Sequence, residues 1–214
     1  MTFQGWPAEA FEFYEQLETD NSKSFWQAHK ARYEQDVRAP MLALLDALEP
    51  EFGPGKVFRP FRDVRFSKDK TPYKTHIGGW LDSGGYIQLS ADHLACGNGM
   101  YRLATDQLAR YRAAVAEDVS GAELERVIAA VEAHPGIAVH GQEPLRTAPR
   151  GFTKDHPRIG LLRNKGLVAW REWEPAAWMG TPEAAETIAE FIRATQPLMA
   201  WLDDHVGPTE LPGR

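Results

Sequence analysis

The chain has 214 residues, 43% of them hydrophobic and 25% charged, with seven Trp and a formal net charge of −6. This size and balance exclude a disordered chain and favour a single globular domain over residues 1–214. No apolar run approaches the roughly 20 residues that span a bilayer, residues 1–10 lack the features of a secretory signal, and a single cysteine excludes an internal disulfide, so we expect a cytoplasmic protein without a membrane partner.

Apolar residues at helical spacing predict that residues 7–50 are helical. Three helices are expected, over 7–18, between the turn at 20–22 and Pro40, and over 41–48. Pro50 and Gly53 should then break the chain.

Alternation and β-branched or aromatic residues predict a strand-rich region over residues 56–101. The expected strands cover 57–66, 73–81, 86–90 and 93–101, and short turns join them into an antiparallel meander. Cys96 lies inside an apolar strand pattern and is expected in the core.

Helices return over residues 105–134, the first running to about Asp118 and the second beginning with a capping box at Ser120 and Glu123. Residues 137–204 should hold a short strand, a basic loop in which Asp155 caps a brief helix, a strand over 167–173 and a last helix. The predicted fold class is α+β, an antiparallel β meander packed against N-terminal and C-terminal helices.

Positive charge is concentrated in two stretches of this acidic chain. Lys56–His76, the basic segment, has seven basic residues against two acids, a formal charge of +5. Residues 146–171 have seven against one, or +6, which leaves −17 for the remainder. Such an arrangement indicates a localised anion site, since a protein that binds a long polyanion is usually basic across a whole face. Simple pairing of both stretches with acidic helices is the alternative.

The run RDVRFSKDKTPYKTH, Arg62–His76, strongly resembles the central phrase of the uncharacterised family called domain of unknown function 2461. Similar phrases are NSKSFWQAHKARYE from Asn21, the glycine-containing strand before Tyr101, and KDHPRIGLLRNKG from Lys154, so the resemblance covers about residues 11–202. It implies no particular activity, cofactor or catalytic residue. One departure is Ser22, where the family often has a second Asn.

The first functional hypothesis is a site for a small anionic ligand that bears phosphate or carboxylate, because arginine forks match pairs of such oxygens and lysines add charge. The expected ligand-binding residues are Arg62, Arg65, Lys68, Lys70, Tyr73, Lys74 and His76. A secondary group that would close over them is Arg158, Arg163 and Lys165.

The acidic chain disfavours duplex DNA as a partner, whereas single-stranded nucleic acid could stack on Tyr73, Trp80 and Tyr86. In the structural alternative, Asp63 pairs with an arginine, Asp69 caps a turn and the lysines are solvated.

The second hypothesis is a phosphoester or other hydrolase in which Asp63 or Asp69 acts with His76 as acid and base. No established hydrolase or nucleotide-binding motif is present and the seven His lack close ligand spacing, so we predict no metal and no cofactor.

The third hypothesis is a protein-interaction module that uses Trp170, Trp173 and Trp178, since such rings are frequent in interface hot spots. The structural alternative is that they fill the core or its rim.

Overall fold

A computed structural model gives the structure of residues 2–65 and 67–212. Contacts between Cα atoms divide the chain into two compact units. The first comprises Met1–Cys96 with Glu172–Phe191, and the second comprises Gly97–Arg171 with Ile192–Arg214. Two compact units can belong to one domain or to two, so the single domain expected over residues 1–214 stays a prediction.

Three helices open the first unit, as the apolar spacing predicts. They are α1 (Ala8–Thr19), α2 (Lys23–Arg32) and α3 (Ala39–Phe52), with a π-helical turn at Tyr33–Arg38 before α3. Their buried rings meet around Phe13, whose centroid lies 5.3 Å from that of Tyr14, 6.0 Å from Trp26 and 5.6 Å from Tyr33. Tilted and edge-on pairs of this kind stabilise a core beyond their buried area.

Within the described residues the strands form one six-stranded sheet in the order β1-β2-β3-β4-β6-β5. The strands are β1 (Gly55–Val57), β2 (His76–Leu81), β3 (Tyr86–Ser90), β4 (Leu94–Met100), β5 (Ala138–Gly141) and β6 (Leu167–Trp173). The first four follow one another as an antiparallel meander, and β5 pairs antiparallel with β6. The predicted α+β class with an antiparallel sheet is confirmed.

Strands β2 and β3 have two different faces because side chains alternate along a strand. On one face Ile77, Ile87 and Leu89 are buried. On the other face, called the outer face, Ser90 is buried and the remaining side chains are half-buried or exposed. These are His76, Trp80, Tyr86 and Gln88. The outer face is therefore where β2 and β3 meet solvent.

Helices contribute nearly half of the second unit. They are α4 (Thr105–Ala116), α5 (Asp118–Glu132) and α6 (Ile159–Leu162), together with the C-terminal part of α7 (Glu183–His205). Trp201 of α7 packs edge-on against Tyr111, with centroids 6.4 Å apart, and its indole N–H donates to the carbonyl of Ser120 at 3.1 Å. In the first unit, Cys96 is fully buried, as predicted.

The strand predicted over 57–66 was wrong beyond its first residue. Regular pairing with β2 ends at Val57, and Phe61 forms an isolated bridge with Tyr73. Pro60 has no N–H to donate to a strand neighbour, and the polar side chains that follow bind one another locally instead. Phe66, the predicted end of the strand, lies outside the described residues.

Helix α3 continues through Pro50, where the sequence predicted a break. The proline falls in the last turn, so few backbone hydrogen bonds are at stake there. Gly53 ends the helix instead, with φ of 77° and its N–H donating to the carbonyl of Glu49 at 2.9 Å.

Two predicted helix starts were also wrong. Helix α5 begins at Asp118 because the carboxylate of Glu117, and not Ser120, caps it, accepting from the backbone N–H of Ser120 at 2.7 Å. The brief helix α6 begins at Ile159 and is preceded by Arg158, whose side chain makes no capping bond, so Asp155 is not its cap.

Candidate functional site

The basic segment folds into a narrow ribbon next to β2. The backbone N–H of Lys74 donates to the carbonyl of Pro60 at 2.8 Å, and that of Arg62 donates to Pro72 at 2.9 Å. These bonds flank the bridge between Phe61 and Tyr73. Because side chains alternate, Arg62 and Lys74 project from one face of the ribbon while Phe61 and Tyr73 project from the other.

Asn21 holds the ribbon in place from the turn before α2. Its side-chain amide donates to the carbonyl of Tyr73 at 3.1 Å, and its side-chain oxygen accepts from the N–H of Tyr73 at 3.0 Å. The ring of Tyr73 stacks on Trp26 of α2, with centroids 4.3 Å apart and planes inclined by 9°. Sequence reasoning missed this clamp, since nothing in the turn indicates a partner 52 residues away.

Ser22, the departure from the family phrase, has a separate function. Its hydroxyl accepts from the backbone N–H of Phe25 at 3.1 Å and so caps α2. The amide that serves the ribbon is therefore that of Asn21.

A cleft of about 460 Å³ opens between the ribbon, its connecting loop and the start of β2. It is lined by Arg62, Asp63, Asp69, Thr71, Tyr73, Lys74, Thr75 and His76. Six of these residues are predicted site residues, and Thr71 and Thr75 are additions. The predicted residues Arg65, Lys68 and Lys70 are not among the lining residues.

Both arginines of the central phrase pair with carboxylates of the same loop. Arg62 bonds to Asp69 and Thr71, and its side chain is 29% exposed. Arg65, at 77% exposure, donates to Asp63 at 2.7 Å. The structural alternative expected Asp63 to pair with an arginine and Asp69 to cap a turn. Asp63 pairs with Arg65, and Asp69 accepts from the backbone N–H of Thr71, so both contacts agree with it. Arg62 is the more buried of the two arginines.

These contacts determine the acidity of the two carboxyl groups. Hydrogen bonds from the side chain and backbone N–H of Arg65 lower the pKa of Asp63 to about 2. The backbone N–H of Thr71, followed by Arg62, lowers the pKa of Asp69 to about 2. Each carboxylate is therefore a weak base, which makes both poor acid and base catalysts near neutral pH.

The lysines of the segment differ in their surroundings. The ammonium of Lys70 donates to the carbonyl of Val64 at 2.9 Å. Lys68 is exposed, whereas Lys74 is half-buried in the wall of the cleft. In the described part of the chain, Lys74 has no carboxylate within ion-pair distance, and its ammonium lies 5.3 Å from the ring centroid of Phe58. Burial, followed by the charge of Arg59, lowers the pKa of Lys74.

His76 is the first residue of β2 and lines the cleft. Burial, followed by the charges of Lys74 and His93, lowers the pKa of its imidazole. The ring of His76 forms no hydrogen bond with the residues that the structure describes. His76 is therefore a neutral imidazole near pH 7, with a ring nitrogen able to accept a proton or a hydrogen bond.

The residues of the predicted secondary group have partners within the second unit. Arg158 donates to the carbonyl of Val115 at 2.7 Å and to that of Glu117 at 3.1 Å. Arg163 donates to the carbonyls of Leu145 and Arg146, and Lys165 pairs with Glu143 at 3.4 Å. Their closure over the basic segment stays a prediction.

The three tryptophans of the interaction hypothesis are half-buried. In the first unit, the ring of Trp173 packs edge-on against Trp178 at 6.0 Å and Phe191 at 6.3 Å. In the second unit, Trp170 lies against Gly97. Such packing agrees with the alternative that these rings fill the core or its rim. A protein partner at this position stays a prediction.

Two features of the described residues bear on other classes of function. None of the helices found there is long and apolar enough to cross a membrane. The same residues contain no group of three His, Cys, Asp or Glu side chains arranged to hold a metal ion.

Comparison with known proteins agrees with the phrases quoted from the sequence. No curated protein matches the chain. The family described as "Conserved hypothetical protein (DUF2461)" matches residues 9–201, which is most of the chain. The chain therefore belongs to the DUF2461 family.

Proposed function

We propose that the cleft binds a small anionic ligand bearing a phosphate or carboxylate group. The observation that carries this proposal is Lys74, a half-buried cation without a carboxylate within ion-pair distance in the described residues. Its lowered pKa reports burial and repulsion by Arg59. A bound anion would offset both effects.

Two further groups support an anion in the same cleft. Arg62 bonds to Asp69 at its wall, and such a partly exposed pair contributes little stability by itself. A ligand oxyanion can therefore share or replace the carboxylate at small cost. Neutral His76 adds a hydrogen-bonding nitrogen, and Thr71 and Thr75 add hydroxyl groups.

The test is calorimetric titration of the full chain with sulfate and inorganic phosphate at two salt concentrations. Lys74→Gln should weaken binding about tenfold, because a charge-assisted hydrogen bond to an anion is lost. Lys74→Arg should retain binding. Lys68→Gln is the matched control, since it removes the same charge from an exposed lysine of the same segment outside the cleft lining. Absence of binding, or equal losses from Lys74→Gln and Lys68→Gln, would refute the proposal.

A second candidate function is hydrolysis with His76 as the general base. The observation that favours it is the neutral imidazole in the cleft, which forms no hydrogen bond within the described part of the chain. Asp63 and Asp69 are less suited because their pKa values lie near 2. Turnover of phosphoester substrates, with divalent metals supplied, should be lost in His76→Gln; no turnover of any substrate would reject this function.

We also propose a cytoplasmic location. A single cysteine buried in the core suits a reducing compartment, and small phosphorylated ligands are plentiful there.

A further inference from the structure

Three aromatic side chains lie together on the outer face of β2 and β3. Phe58 is 38% exposed and Trp80 is 37% exposed. Trp80 stands opposite Tyr86 in the antiparallel register, and the rings of Tyr86 and Phe58 have centroids 6.2 Å apart. A single exposed ring needs no explanation, whereas two exposed rings joined by the half-buried Tyr86 are a candidate binding surface.

Gly78 allows two of these rings to lie close over the strand. A Cβ atom at this position would be 2.8 Å from the hydroxyl of Tyr86 and 3.3 Å from Cδ2 of Phe58. A larger residue would push both rings away from β2. The glycine thus leaves room for an aromatic surface on the outer face.

This aromatic surface adjoins the cleft at Lys74. The ammonium of Lys74, which lines the cleft, lies 5.3 Å from the ring centroid of Phe58. His76 and Gly78 are alternate residues of β2 and so belong to the same face. A cation for an oxyanion and exposed rings for a flat group therefore lie side by side in the first unit.

We infer that the ligand of the cleft is a nucleoside phosphate, with its phosphate at Lys74 and Arg62 and its base against the exposed rings beginning at Phe58. This inference rests on the proposed function and names the class of anion. Bases stack on aromatic side chains whatever their sequence, and a cleft of about 460 Å³ has the size of a small-molecule site. The net charge of −6 favours a mononucleotide over a polymer, which would meet repulsion beyond the basic segment.

The test compares ligands that carry the ring, the phosphate or both. Adenosine monophosphate, ribose 5-phosphate and adenosine are titrated separately into the full chain. Adenosine monophosphate should bind about tenfold more tightly than ribose 5-phosphate, from stacking of one base. Equal affinity for the two phosphates would overturn the inference and leave the proposed anion site intact. If neither of these two phosphates binds, the inference fails, and the titration with sulfate and inorganic phosphate decides the proposed function separately.

A pair of variants tests whether the ring of Phe58 is the contact. Phe58→Leu keeps an apolar side chain but removes the ring, so the advantage of adenosine monophosphate should shrink several-fold while ribose 5-phosphate binds as before. Phe58→Tyr keeps the ring and should keep the advantage. Equal weakening of both phosphates by Phe58→Leu would show that the ring acts only through Lys74 and would overturn the inference.

A short oligothymidylate provides the last arm of the test. If it binds far more tightly than adenosine monophosphate at moderate salt, the ligand is a single strand and the mononucleotide assignment is wrong. Comparable or weaker binding of the oligonucleotide supports the assignment.

Discussion

Two stretches of the chain have nearly equal positive charge and use it differently. The basic segment carries +5 and residues 146–171 carry +6. In the second stretch Arg158 and Arg163 donate to main-chain carbonyls. In the basic segment Arg62 and Arg65 pair with nearby carboxylates.

The difference lies in what the partner requires of the cation. Carbonyl groups at the end of a helix need a donor, so a guanidinium that supplies several bonds there is part of the fold. An exposed carboxylate is equally well satisfied by water, so its arginine is easily shared with a ligand. Positive charge in a sequence therefore predicts an anion site only where the partners are exchangeable.

The largest expected loss of stability from a substitution in either stretch is at Arg158, which is 8% exposed. Its guanidinium donates to the carbonyls of Val115, Ala116 and Glu117 around the end of α4. Arg158→Ala leaves these acceptors, of which that of Val115 is buried, without their donor, and the free energy of unfolding should fall by about 3 kcal/mol. Chemical denaturation measures the change.

The controls for Arg158 separate charge from geometry. Arg158→Lys keeps the charge but loses the fork, so it should recover only part of the loss. Gly121→Ala places a methyl group against both the guanidinium of Arg158 and the carbonyl oxygen of Val115, so it should destabilise the fold even when Arg158 is absent. A loss below about 1 kcal/mol for Arg158→Ala, or full recovery of stability in Arg158→Lys, would contradict the structural assignment.

The next largest loss of stability is expected at Asn21, whose side chain holds the ribbon of the basic segment in place. Asn21→Ala removes both side-chain bonds to the backbone of Tyr73 and should lower the free energy of unfolding by about 2 kcal/mol. Because the ribbon carries Lys74, sulfate binding should weaken as well. Ser22→Ala removes the cap of α2 and a bond to Ser24 but no contact with the ribbon, so it should destabilise by about 1 kcal/mol and leave sulfate affinity unchanged.

The sequence predicted most elements of the fold for a clear physical reason. Apolar periodicity records which face of an element is buried, and the strands 86–90 and 167–173 end at the predicted residues. The strand expected over 57–66 failed because alternation alone does not show whether a neighbour is available. Pairing in this stretch depends instead on the bonds that individual residues can make. Pro60 has no N–H to donate, and the carboxylates of Asp63 and Asp69 accept hydrogen bonds from nearby residues of the same loop.

The candidate site could be located from the sequence but not assembled. Charge density and turn residues mark Arg62–His76, and six predicted residues line the cleft. The contributions of Asn21 and Phe58 depend on partners 52 and 16 residues away, and no local spacing records such contacts. Separation of Arg65 and Lys68 from the cleft likewise follows from the path of the loop.

A smaller effect is expected from the protonation of His76. Its lowered pKa means that the ring gains a proton only as the pH falls below the ordinary value of 6.5. The added charge should raise affinity for sulfate, which stays a dianion, by about fivefold. The same protonation costs folding stability, which is present above pH 6.5 and falls as the pH drops towards the folded pKa.

Titration of sulfate between about pH 8 and about pH 5 measures this change. His76→Gln should flatten the profile, because the neighbouring acids Asp63 and Asp69 stay ionised until about pH 2. A profile that persists unchanged in His76→Gln would contradict the assignment to His76.

The smallest expected effect is at Arg65, the counterpart of Arg158 in the basic segment. Its pair with Asp63 is open to solvent, with exposures of 77% and 46%. Such pairs gain little over hydration, so Arg65→Ala should leave the denaturation midpoint within experimental error. Because Arg65 does not line the cleft, it should affect sulfate only through long-range attraction, as a loss of about twofold that disappears at high salt. A loss of stability comparable to that of Arg158→Ala would mean that the two basic stretches are alike, with both serving the fold.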